Sequence, residues 1–181
     1  MIEMNAMRKL ILLGLGIFLL AAPSRAQSVD ASVGYSYFHL GGGADLNQNG
    51  ISGSVAYKPI PYLGIVGDFG GYHGSVTVPN GAGGGTNVSL NTYTYLFGPR
   101  IIAHNSTKIT PFFQFLVGGA HQTLGGGGGS NNNFAYSAGG GVDLAVLPHL
   151  AIRPQLDYVG LHDSGGTANC TRVSVSAVVH F

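Results

Sequence analysis

The residues of this sequence best placed for chemistry are His162-Asp163-Ser164. An imidazole close to a hydroxyl can take its proton and make it a nucleophile, the logic of serine hydrolysis. No glutamate follows Ala26, so Asp163 is the nearest acid that could orient His162. Gly165-Gly166 come next, and such a polar, glycine-rich stretch is by default a turn. The chain holds seven histidines. Five of them (His73, His104, His121, His149, His162) fall in loops or at strand ends, without a ligand spacing such as HExxH, so neither a metal nor a cofactor is expected. The glycine run 125–129 is followed by no Walker lysine and is no phosphate cradle.

A second set of residues suggests electrostatics without catalysis. Asp68, Asp143 and Asp157 stand against Arg100, Arg153 and Arg172, with Gln114 and Gln155 among them. All eight fall on the polar side of segments that alternate polar and apolar residues. Strand side chains point alternately to opposite faces, so the alternation reads as strands with one greasy face. Eight such segments occur, at about 29–40, 51–58, 63–72, 92–100, 109–120, 134–144, 151–161 and 173–181. In the last, Val173, Val175, Ala177 and Val179 alternate with Ser174, Ser176, Val178 and His180 before Phe181.

The connections alternate too. Those after odd strands are expected to be long (41–50, 73–91, 121–133, 162–170), and those after even strands short (59–62, 101–108, 145–150). Short turns at one end and long loops at the other mark a barrel that crosses a membrane. A charge facing lipid near the midplane costs about 2–4 kcal/mol, so the polar face should point into the lumen. An eight-stranded lumen is only wide enough for side chains to fill it. The three acids and three bases are therefore expected to form a neutral network there. The small lumen residues Gly34, Ser52, Ser54, Gly118, Gly139 and Gly141 would leave room for the arginines. Tyr35, Tyr37, Tyr57, Tyr62, Tyr93, Phe134, Tyr136, Tyr158 and Phe181 would anchor the wall at the two lipid–water boundaries. Pro154 lacks a ladder donor and predicts a bulge or dent in the seventh strand.

Composition agrees with this reading. Only 8% of the chain is charged and its mean hydropathy is +0.26, whereas soluble domains carry about 25% charge. Arg8 and Lys9, an apolar run over 10–22, and Ser24 and Ala26 form a signal peptide expected to be cut after Ala26. Residues 1–26 are thus read as the signal and 27–181 as one barrel domain. The barrel part has five bases and six acids, which gives no footprint for nucleic acid. Cys170 stands alone and forms no intramolecular disulfide.

With its strands laid out, the chain resembles the small OmpA/OmpX-like outer-membrane β-barrel family over 28–181. The segments that carry the likeness are Gly50-Ile51-Ser52-Gly53-Ser54-Val55-Ala56-Tyr57, the 64–72 strand with Asp68, 151–159 with Asp157-Tyr158, and Phe181. The resemblance implies an all-β, eight-stranded antiparallel up-and-down transmembrane β-barrel in the outer membrane. It implies a non-enzymatic role in envelope integrity or in surface interaction through the long loops. It also implies that Val175, Ala177, Val179 and Phe181 are read by the barrel-assembly machinery, although many relatives have an aromatic residue where Val179 stands. The partners expected are outer-membrane lipid, that machinery and a surface ligand at loops 73–91 and 121–133. The alternatives are a lipid A hydrolase built on His162 and Ser164, a narrow pore, or an inside-out soluble barrel around an apolar ligand.

Overall fold

The computed structural model describes residues 29–41, 46–80, 84–103, 108–125, 129–163 and 165–181. Eight strands follow one another: β1 (Val29–Leu40), β2 (Leu46–Ile60), β3 (Leu63–Asn80), β4 (Gly84–Ile102), β5 (Ile109–Leu124), β6 (Ser130–Leu147), β7 (Leu150–Asp163) and β8 (Gly166–His180). Each pairs antiparallel with its neighbours in sequence, and β8 returns to β1 from Asp30↔His180 to Leu40↔Cys170. Closure leaves no unpaired edge, which lets a sheet cross lipid with its backbone satisfied. The signal segment 1–26 lies outside the described residues.

Period-2 alternation sets what faces where. In β4, Thr92, Thr94, Leu96 and Arg100 point inward and are buried, while Tyr93, Tyr95 and Phe97 point out. Ile51 is 66% exposed, Phe69 62% and Phe97 60%, whereas Arg100, Arg153 and Arg172 are each 1% exposed. The greasy faces form the outer wall and the charges lie inside, which is the reverse of a soluble ligand-binding barrel. Glycine on this wall is covered by cross-strand tyrosine: a Cβ added at Gly119 would stand 2.5 Å from the Tyr95 hydroxyl. Tyr136 lies over Gly160 in the same way. An aromatic ring thus fills the gap each glycine leaves in the wall.

The strands run further than alternation of apolar residues implied. The segment 73–91, expected as the longest loop, is mostly ladder, with β3 and β4 in register from Leu63↔Ile101 to Asn80↔Gly84. The expected loops 41–50, 121–133 and 162–170 shrink similarly, because β2 begins at Leu46, β5 reaches Leu124, β6 begins at Ser130 and β8 at Gly166. The reason is physical: beyond the bilayer a ladder needs hydrogen bonds but no greasy face, and Val76, Thr77, Val78, Thr86 and Val88 favour extended backbone. Crossing takes about 9–11 residues, while β3 has 18 and β4 has 19. This hairpin is therefore longer than a membrane crossing requires.

Pro154 makes no bulge. Register with β6 is the same on either side of it (Gly141↔Gln155, Leu144↔Ile152), but the rungs between are missing, as a residue without an N–H requires. Pro99 interrupts the β4–β5 ladder in the same manner between Phe97↔Val117 and Arg100↔Gln114. The register shift of the β6–β7 pair lies between Ala145 and Leu147.

Candidate functional site

The lumen is where the charged side chains meet. Arg172 on β8 is its centre. Its Nη1 donates to Asp68 Oδ1 at 2.6 Å and to Tyr72 Oη at 3.3 Å, and its Nε donates to Asp157 Oδ2 at 2.9 Å. Asp157 is its register partner on β7, while Asp68 reaches it from β3. Gln155 Nε2 adds a bond to Asp157 Oδ2 at 2.7 Å, and Gln114 Nε2 one to Oδ1 at 3.5 Å. One arginine thus holds two buried carboxylates, Asp157 fully and Asp68 nearly so. The packing leaves little space: a Cβ at Gly139 would lie 2.5 Å from the Cα of Asp157.

A second cluster lies toward the end of the barrel where β4 meets β5. Asp143 takes Arg153 in a two-pronged pair, with Nη2 on Oδ2 at 2.7 Å. Arg100 has no carboxylate within 4 Å among the described residues. It donates from Nε and Nη2 to Gln114 Oε1, at 3.0 and 2.7 Å. Both guanidinium groups rest on Phe112, Arg100 at 4.3 Å and Arg153 at 4.9 Å from the ring centre. The Phe112 ring face supplies part of what a carboxylate would, since a desolvated cation on a ring gains up to about 2 kcal/mol. Phe112→Leu should lower unfolding stability by about 1–3 kcal/mol, because it removes the face under two cations as well as packing. Urea titration of the refolded barrel in lipid measures this, and an unchanged midpoint would show the ring to be mere filler.

The lumen is not polar throughout. Phe38 stacks on Tyr72 with ring centres 4.7 Å apart, and both join Leu96, Leu116, Val159 and Leu161 in one buried apolar cluster. Sequence reading missed Phe38, Tyr72 and Phe112 as interior groups. Their parity signalled it, since Phe38 shares a face with Ser36, and Phe112 with Gln114. It also missed Asp30, which Lys58 (2.8 Å) and His180 (2.7 Å) engage at the barrel end that holds the chain termini.

The remaining candidates lie elsewhere. His162 faces outward and its Nδ1 is 2.9 Å from Thr167 Oγ1, while Ser164 is outside the described residues. Val175, Ala177 and Val179 line the outer wall, and the Phe181 amide donates to Val29 O at 2.9 Å. Cys170 is buried. No group of three His, Cys, Asp or Glu side chains converges among the described residues.

No family model matches this sequence, and no curated protein matches it. Solved structures do. Neisserial surface protein A superposes with a TM-score of 0.68 at 14% identity, over 86% of this chain and 99% of that one. Ail, the attachment invasion locus protein of Yersinia pestis, has a TM-score of 0.61 and 16% identity in its complex with the heparin analogue sucrose octasulfate, over 84% and 97% of the two chains. OprG of Pseudomonas aeruginosa has a TM-score of 0.57 and 9% identity, over 86% and 97%. With its apolar wall outside and its charges inside, this chain has the fold of the small eight-stranded, OmpA/OmpX-like outer-membrane β-barrels.

Proposed function

We propose that this protein is a non-enzymatic outer-membrane barrel that acts through its projecting hairpins, above all the one formed by β3 and β4. The observation that carries this reading is the division of labour along the barrel. The lumen is filled by interlocked side chains, Arg100, Arg153, Arg172, Phe38 and Leu116 among the most buried. The outer ends of the strands, by contrast, exceed what a bilayer needs. A filled interior suits a rigid pedestal better than a pore or a catalytic pocket.

The chemistry of a surface ligand follows from what these ends carry. Residues 73–91 and 121–133 contain no Lys or Arg. A sulfated polyanion, of the kind held by Ail, would find no fixed positive charge there. Asn, Ser and Thr dominate with glycine, so the contact should be neutral and built on hydrogen bonds. On the same reading the outward face of β8, with Val175, Ala177 and Val179, and the following Phe181 are what the assembly machinery engages.

Replacing 75–89 with a two-residue turn tests the division. Gly74 and Leu90 are register partners, so the shortened hairpin can close on the same ladder. The trimmed barrel should still reach the outer membrane, still migrate differently unboiled and boiled, and unfold within about 1 kcal/mol of the parent. Its surface binding should be lost. A trimmed barrel that no longer assembles would show that the hairpin is part of the scaffold.

A further inference from the structure

Each of the four hairpins at the outer end carries one histidine in the same geometry. His39, His73, His121 and His162 stand opposite Asn47, Asn91, Asn132 and Thr167 on the next strand. Nδ1 lies 2.7, 2.6 and 2.8 Å from the three asparagine Oδ1 atoms and 2.9 Å from Thr167 Oγ1. An amide oxygen only accepts, so Nδ1 carries the hydrogen toward each asparagine and Nε2 is the atom that takes up the next proton. Only at His121 does Nε2 meet a described partner, Thr123 Oγ1 at 3.3 Å.

The four share one level. Passing from one histidine to the next around the barrel, the offsets along β2, β4, β6 and β8 are two, two, two and four residues, all toward the opposite end. They total ten, the stagger of one full circuit, so the histidines follow the strand tilt and form a collar. They continue the outward faces of Tyr37, Phe69, Val117 and Tyr158. Tyr93 and Phe134 are themselves register partners of His121 and His162. The collar thus sits where an aromatic girdle ends, at headgroup depth.

Nothing else at this end can become a cation: 39–50, 73–91, 121–134 and 158–170 hold no Lys or Arg. The groups facing the rings are Asn47 and Thr171 at His39, Asn49 and Asn91 at His73, Tyr93, Asn132 and Thr123 at His121, and Phe134 and Thr167 at His162. Among these, the phenol of Tyr93 is the one titratable group. The acids of this end are Asp45 and Asp163, neither of which is among the described side chains.

We propose that the collar is a pH-gated contact for the phosphate-bearing headgroups of the surrounding leaflet. A neutral ring is held through Nδ1 by its asparagine or threonine partner on the next strand. A protonated ring carries an Nε2–H that donates to a headgroup phosphate, while its Nδ1–H keeps the bond to the next strand. The inference rests on the barrel spanning a membrane with these hairpins outward.

The test compares the barrel with a His39→Gln/His73→Gln/His121→Gln/His162→Gln variant, both in phosphatidylcholine nanodiscs doped with phosphatidylglycerol. Electron spin resonance of labelled lipids reads the preference for the anionic lipid at pH 7.5 and 5.5. A gel shift between unboiled and boiled samples reports insertion separately, so failure of the membrane reading is distinguishable. The parent's preference should rise severalfold at pH 5.5, by up to about fivefold per histidine that engages a headgroup, and the variant's should stay flat. Excess inorganic phosphate should not remove the effect. A flat parent, a variant that responds equally, or competition by free phosphate would each overturn the proposal. Should the quadruple variant fail to insert, a His39→Gln/His73→Gln variant should show a reduced rise, and an undiminished rise would be fatal.

Discussion

Arg172→Met should destabilise this barrel by about 3–5 kcal/mol. Methionine keeps most of the volume, so the loss is electrostatic. Asp157 is fully buried and Asp68 nearly so, and both depend on the one guanidinium. Gln155 and Gln114 still donate to Asp157 in the variant, and Asp68 loses the larger share. Removing the whole set should be mild: Arg172→Met combined with Asp68→Asn and Asp157→Asn leaves no charge to compensate, and its stability should return to within about 1–2 kcal/mol of the parent. Arg100→Met offers a contrast. Arg100 has no carboxylate partner, and its Nη1 has no hydrogen-bond partner among the described residues. Its removal should cost less than half as much as that of Arg172. Equilibrium urea unfolding in lipid bilayers ranks the variants. Equal costs for Arg172→Met and Arg100→Met would mean that ion pairing does not organise the lumen.

How much of this could be read in the sequence depends on which interaction is concerned. Parity is local: every second side chain in a strand shares a face, so Asp68, Arg100, Asp157 and Arg172 could all be assigned inward from their neighbours alone. Pairing is not local. Arg172 meets Asp157 because the β7–β8 register brings them opposite, and it meets Asp68 across the lumen from a strand 104 positions earlier. The hairpins were harder, because 75–80 and 84–90 have a loop's composition and a strand's backbone. The histidines illustrate the same limit. His73, His121 and His162 read as loop or strand-end residues, and only the register reveals that with His39 they repeat one cross-strand contact.

Phe97→Arg is the change that tests the membrane reading most directly. Phe97 lies on the outer wall of β4, between the ring of Tyr93 and Tyr95 and the opposite end at Ile101, and it is 60% exposed. In water an arginine there would be harmless or would improve solubility, since the side chain touches little else. In lipid the same arginine sits near the midplane and should cost about 2–4 kcal/mol, beyond the lost contact of the ring. Its neighbour Leu96 gives the complementary control. Leu96 points into the lumen at 2% exposure, so Leu96→Ala should cost about 2–5 kcal/mol in any solvent through the cavity it leaves. Folding the two variants into bilayers of increasing thickness separates the effects. The Phe97→Arg penalty should grow with hydrocarbon thickness, because a charge at the midplane moves further from water, while the Leu96→Ala penalty should not. A Phe97→Arg barrel as stable as its parent in every bilayer would mean that this wall does not face lipid.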